Sequence, residues 1–215
     1  VAATSANNVF ASCWDTIYCS NNGGQSWDAR NTNTVNNNFL DIFIYDNNNI
    51  WVAGEATTFT RSTDGGNSWD VRFTGISICN FNSVSFSTLQ NGWAAGDCGV
   101  VAKTTDGGDF WLDIGYTFES DANYFSVAFI DQNDGWIVGD SGIVIITNNS
   151  GENWEKTYIN QNLFLKDVDF VDNNTGWVIG DNGIIYKTSD GGYEWLEEQS
   201  PTNQNLKSLF MVSNK

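Results

Sequence analysis

Histidine is absent from this 215-residue chain, proline occurs once, at Pro201, and nine Lys and Arg face 26 Asp and Glu. Without histidine a Ser-His-Asp triad cannot be assembled. The basic residues are scattered, and a formal charge of −17 leaves no electrostatic footprint for a phosphate backbone, so nucleic acid is excluded as a partner. Anionic membrane surfaces would repel the chain as well. Its longest apolar runs span only a few residues, too short for insertion into a bilayer as helix. No signal peptide is visible, and a start at Val1 rather than Met is expected of a processed or partial chain. No stretch between the glycine turns keeps a helical apolar period, which argues against helix.

What the chain has is repetition. Trp27, Trp69, Trp111, Trp154 and Trp195 recur at intervals of 42, 42, 43 and 41 residues, each closing a copy of one pattern. The clearest copies are Ser62-Thr63-Asp64-Gly65-Gly66-Asn67-Ser68-Trp69 and Thr188-Ser189-Asp190-Gly191-Gly192-Tyr193-Glu194-Trp195. A second signature runs in phase: Trp51, Trp93, Trp136 and Trp177 each lie 18 residues before a closing tryptophan. Three of them sit in Gly-Trp-x-x-Gly-Asp, at 92–97, 135–140 and 176–181. The copy at Ile50 to Glu55 is looser, and Phe10 takes the Trp place in the first repeat. A fixed period of this length marks stacked supersecondary units, and a motif present five times reads as scaffold.

One unit shows the layout. Leu163 to Val171 alternates around Phe164, Val168 and Phe170 as a strand, and Asp172 to Thr175 is a turn. Gly176 to Gly180 is a second strand, Asp181-Asn182-Gly183 a tight turn, Ile184 to Thr188 a third strand and Tyr193 to Glu197 a fourth. Four short antiparallel strands per repeat are the pattern of a propeller blade. The expected fold is therefore all-β: a single β-propeller domain of about five four-stranded blades, at 1–36, 37–78, 79–121, 122–162 and 163–205. Residues 206–215 would begin the first strand of a further blade. Two arrangements stay open: part of a six- to eight-bladed ring, which is the favoured expectation, or a five-bladed ring closed by the C-terminal strand.

The pattern Ser/Thr-x-Asp-x-Gly-x-x-Trp resembles the Asp-box, or bacterial neuraminidase repeat. It is complete at Ser62, Thr104 and Thr188, while Asn22 and Asn149 replace Asp in the copies begun by Ser20 and Thr147. Together with the Gly-Trp-x-x-Gly-Asp element, the units are most similar to propellers of the photosystem II assembly-factor type and to related secreted bacterial repeat proteins. The box is specific for fold and weakly so for activity, since sialidases, xyloglucan hydrolases, sorting receptors and assembly factors carry it. Asn22, Asp64, Asp106, Asn149 and Asp190, with Trp27, Trp69, Trp111, Trp154 and Trp195, are read as structural. The acid or amide accepts backbone N–H bonds in its turn, and each Trp buries about 150–250 Å². The resemblance places the boxes at the outer edge, away from the ligand face.

Ligand faces of propellers are built from the turns between strands two and three and from the connections between blades. The first set contributes Trp14, Asp15, Glu55, Asp97, Asp140 and Asp181; the second contributes Tyr116, Phe118, Tyr124 and Tyr158. Acids at equivalent positions could form a partial ring for a cation such as Ca²⁺, although Asp before Gly is first a turn former, and no other cofactor or metal is expected. A sialidase-like site needs an arginine cluster, yet only Arg30, Arg61 and Arg72 exist. The favoured reading is a non-catalytic extracellular, cell-surface or periplasmic module that binds a protein or a glycan. The alternative is a glycan-processing hydrolase with paired carboxylates among Asp97, Asp140 and Asp181. Asn148 and Asn173 lie in glycosylation sequons.

Four cysteines remain. Cys13 and Cys19 flank a hairpin, and Cys79 and Cys98 fall at neighbouring strand ends, so bridges Cys13–Cys19 and Cys79–Cys98 are expected in an oxidising compartment.

Overall fold

The computed structural model describes residues 1–32, 38–74, 76, 79–115 and 122–212. Five four-stranded antiparallel sheets follow one another along the chain, each in sequential strand order. The first holds β1 (Ala2–Ala3), β2 (Val9–Cys13), β3 (Thr16–Ser20) and β4 (Asp28–Arg30). The second holds β5 (Phe39–Ile44), β6 (Ile50–Gly54), β7 (Thr58–Ser62) and β8 (Asp70–Phe73). The third holds β9 (Phe81–Phe86), β10 (Gly92–Gly96), β11 (Val101–Thr104) and β12 (Leu112–Asp113). The fourth holds β13 (Tyr124–Phe129), β14 (Gly135–Gly139), β15 (Ile143–Thr147) and β16 (Glu155–Tyr158). The fifth holds β17 (Leu165–Phe170), β18 (Gly176–Gly180), β19 (Ile185–Thr188) and β20 (Leu196–Glu197). These are the expected blades. The chain divides into two compact units, Val1–Gly96 with Val100–Ile114, and Asp97–Gly99 with Gly115–Lys215.

The second strands, β6, β10, β14 and β18, are buried along nearly their whole length, because a sheet covered on both faces needs apolar residues at successive positions. The glycine that precedes Trp in three copies has a packing reason. Gly92, Gly135 and Gly176 pair across the ladder with Phe86, Phe129 and Phe170, and a Cβ at Gly92 or Gly176 would stand 2.5 Å from that ring. In the looser copy Ile50 faces Ile44 instead, so a glycine–phenylalanine pair is exchanged for two branched aliphatics.

The box works as a hydroxyl–carboxylate relay. Ser62, Thr104 and Thr188 each donate a 2.8 Å hydrogen bond to Oδ1 of Asp64, Asp106 and Asp190. The same hydroxyls accept the N–H of Gly66, Gly108 and Gly192 at 2.8–2.9 Å. Each carboxylate in turn accepts the N–H four residues on, from Ser68, Phe110 or Glu194. Asn22 and Asn149 do the same for Ser26 and Asn153 at 3.0 Å, because an amide oxygen accepts as a carboxylate oxygen does. Asp64 also accepts from Oγ of Ser68 at 2.6 Å. That bond and the Ser68 N–H hold its carboxyl down at about 2.

Within each unit, adjacent blades are locked by the second signature. Trp51 donates its indole N–H to the carbonyl of Gly107 at 2.9 Å and stacks on Phe86 with centroids 4.0 Å apart. Trp136 does the same to Gly191 and Phe170, at 2.7 and 3.6 Å. Phe10 fills the corresponding slot beside Gly66, without a donor. The C-terminal segment runs along β17: Asp167 accepts the N–H of Leu209 at 2.7 Å and Asp169 that of Met211 at 2.8 Å. Asp41 accepts the N–H of Val84 in the same manner where β9 runs beside β5, although residues 206–212 form no strand of their own.

Cys79 and Cys98 are disulfide-bonded, as expected. Cys13 and Cys19 are free, which corrects the second expected bridge. The reason is register: Cys13 pairs with Thr16 and Cys19 with Phe10. The two residues are thus offset by three positions, about 10 Å along the ladder, beyond disulfide reach. They also lie on opposite faces, since an offset of three positions reverses the side of the sheet. Burial pushes the Cys19 thiol above its ordinary range, even though Arg30 opposes the shift.

Candidate functional site

The turns between second and third strands carry the candidate face residues. Asp15 follows Trp14 in the short hairpin between β2 and β3, while Glu55, Asp97, Asp140 and Asp181 each open a three-residue turn of 3₁₀ type. These acids have work to do inside the fold. Glu55 Oε2 accepts the N–H of Asn38 at 3.3 Å, while the Glu55 N–H donates to the Asn38 carbonyl at 2.9 Å. Asp140 repeats the latch on Asn123, taking its N–H and its Nδ2 at 3.1 Å and donating its own N–H to the Asn123 carbonyl at 3.0 Å. The N–H of Asp181 donates to the carbonyl of Phe164 at 3.1 Å, and its carboxylate lies 3.9 Å from Nζ of Lys166. These three acids therefore tie their turns to the residue leading into the same blade's inner strand. Asp97 opens the turn whose Cys98 N–H donates to Oδ1 of Asn123.

The aromatic candidates fare differently. Tyr158 is half-exposed at the end of β16, and the following residue, Ile159, donates to the carbonyl of Gly142 at 3.0 Å, so Tyr158 stands beside the Asp140 turn. Tyr124 is fully buried, contrary to its expected place on the face. It opens β13 where Phe39, Phe81 and Leu165 open their inner strands, so alternation turns its ring into the core. Tyr116 and Phe118 lie outside the described residues. Trp14 is the most exposed of the tryptophans, at 74%.

Two side chains near these turns, one in each unit, escaped sequence reading. Leu40 is exposed, and Lys166 lies over the ring of Phe125 at 3.7 Å and near Phe164 at 5.6 Å. The signal was present in the alternation: Leu40, Phe125 and Lys166 each follow the buried first residue of an inner strand and so point away from the core.

Among the described residues no group of three or more Cys, Asp or Glu is placed to hold a metal ion. Of the acids considered as a Ca²⁺ ring, Glu55 and Asp140 accept hydrogen bonds within their own blades. Two cavities lie elsewhere, about 170 Å³ lined by Phe10, Cys19, Arg30, Asn47 and Asn67, and about 320 Å³ lined by Lys187, Asp190, Glu194 and Leu196. Asp15, Glu55, Asp97, Asp140 and Asp181 line neither.

Repeated boxes, turn latches and indole locks define a BNR-type β-propeller. The chain belongs to the photosynthesis system II assembly factor YCF48 family, whose model matches residues 16–103, 76–164 and 159–214. No curated protein sequence matches it. Among solved structures it is similar to YCF48 bound to D1 peptide, with 16% identity over 98% of this chain and 85% of that one, at a TM-score of 0.53. It is also similar to YCF48 from Cyanidioschyzon merolae, with 18% identity over 96% and 87% and a TM-score of 0.55. An ancestral GH74 enzyme aligns at 19% identity and a TM-score of 0.72, over 95% of this chain but 31% of its own. The chain thus spans about a third of that enzyme's length.

Proposed function

We propose that this chain is a non-catalytic interaction module that binds a segment of another protein on the face carrying the second-to-third-strand turns. The observation that carries the reading is the latch. Glu55 and Asp140 are hydrogen-bonded to backbone N–H groups of their own blades, whereas a hydrolase of the paired-carboxylate kind needs acids about 5–10 Å apart across an open cleft. Membership of the YCF48 family supports a protein partner, and a similar structure is of YCF48 bound to D1 peptide. The Cys79–Cys98 bridge supports work in an oxidising compartment, outside the cytoplasm or at the cell surface. Screening the intact chain against an array of random 12-residue peptides and against a glycan array tests the reading. Saturable peptide binding without turnover of any glycan is expected. Glycan hydrolysis, or an array on which no peptide binds, would overturn it.

A further inference from the structure

The turns between second and third strands contain one backbone position after another in the left-handed region. At Ala56, Cys98, Ser141 and Asn182 φ lies between 50° and 60°, and the occupants are small or polar. In the first blade the turn residue at φ 56° is Trp14. For a bulky side chain this conformation is an outlier that stores strain, and a two-residue hairpin of this kind ordinarily places glycine there. The ring gains no compensating burial, for it is 74% exposed. The exposed ring itself adds little packing to the fold.

The surroundings of Trp14 define what it would meet. Its carbonyl accepts the N–H of Phe39 at 2.7 Å, one residue before the exposed Leu40. Residue 38, one step earlier, holds Glu55, and Asp15 follows Trp14 in the turn. Two exposed apolar residues and two half-buried acids thus sit on adjoining segments of the chain. The basic side chains of this unit are engaged elsewhere: Arg30 with Cys19, Arg61 over Trp51, Arg72 with Asp70 and Asp109, and Lys103 over Trp93. We infer that Trp14 and Leu40, flanked by Asp15 and Glu55, form the docking patch for an extended peptide segment in which an aliphatic or aromatic side chain is flanked by lysine or arginine. The indole face suits both the apolar side chain and an adjacent cation, and the carboxylates complement the flanking charges. This rests on the protein-binding reading and names the partner's chemistry.

Three fluorescently labelled 12-residue peptides test it on the intact chain: a Leu-Phe centre between lysines, the same centre between glutamates, and lysines alone. The first is expected to bind, more weakly as salt rises, and the other two are not. Trp14→Asn, which installs the residue type found at Asn182, should weaken binding at least about 30-fold. It should leave the melting temperature unchanged or raise it by about 2–4 °C as strain is relieved. Leu40→Asn should weaken binding without unfolding the chain. Equal binding of the glutamate peptide, undiminished binding by Trp14→Asn, or a lowered melting temperature for that variant would overturn the proposal. If other sequences on the random array bind and the lysine-flanked peptide does not, this patch is wrong while the protein-binding reading stands. If no peptide binds at all, both fall.

Discussion

The indole N–H of Trp136 donates a 2.7 Å hydrogen bond to the carbonyl of Gly191, 55 residues further along the chain. The ring is buried against Phe170 of the same neighbouring blade. One side chain thus joins two repeats through both its polar edge and its apolar face. The two sequence signatures are the halves of this contact, because Trp136 belongs to the Gly-Trp-x-x-Gly-Asp element and Gly191 to the box. Trp51 and Gly107 repeat it in the other unit.

Dissecting the contact should separate its parts. Trp136→Phe keeps most of the stacking surface but leaves the Gly191 carbonyl buried without its donor, at a cost of about 1–3 kcal/mol. Trp136→Ala also opens a cavity and should cost about 3–5 kcal/mol. Urea denaturation measures both. Equal losses for the two variants would mean that the hydrogen bond, not the stacking, carries the contact.

The box hydroxyl should matter more than its size implies. Thr188→Val preserves shape but removes the acceptor for the Gly192 N–H and the donor to Asp190. A buried N–H left unpaired costs about 1–3 kcal/mol. Thr188→Ser keeps both bonds, as Ser62 does in its own box, and should fall well short of that loss. Chemical denaturation of the pair decides, and similar losses would point to packing instead.

Acid stability should respond to two carboxylates with opposite sign. The Asp64 carboxyl is held at about 2 by the Ser68 hydroxyl and N–H, below its unfolded value. Its contribution is therefore complete above about pH 4 and lost as pH falls from there towards 2. Asp64→Asn should flatten the acid limb of the unfolding curve, since Asn22 and Asn149 show that an amide holds the turn. Asp169 is pushed upward by burial despite its bond from Met211. Its ionisation therefore opposes folding above its unfolded value, and Asp169→Asn should be neutral or stabilising at pH 7, with the difference vanishing in acid. Melting temperatures across pH 2–7 check both signs.

Thiol chemistry should report one bridge and two unlike free cysteines. Native alkylation should label Cys13, which is exposed, and reach Cys19 only on unfolding. Replacing Cys79 and Cys98 together by serine should remove about 3 kcal/mol of chain-entropy stabilisation for a loop of about 20 residues, lowering the melting temperature by roughly 6–12 °C. Peptide mapping and calorimetry are the measurements, and a Cys13–Cys19 peptide would contradict the register of β2 and β3.

Strand order, the five four-stranded units of this chain and the turns of the repeat were legible along the chain because they depend on local signals. Alternation, Asn-Gly and Asp-Gly turns, and a repeat of 41 to 43 residues need no knowledge of distant contacts. Register of the β2–β3 hairpin was not legible: the spacing of Cys13 and Cys19 invited a bridge, and only the paired strands show them three positions apart on opposite faces. What lay beyond reach was which residue a side chain meets across the fold. The pairing of Trp136 with Gly191 spans separate blades, the burial of Tyr124 follows from where β13 begins, and the strain at Trp14 depends on a dihedral angle. Composition placed acids on the turns. Folding turned Glu55 and Asp140 inward onto backbone N–H groups, because a carboxylate half-removed from water must find donors, and it left Trp14 outside.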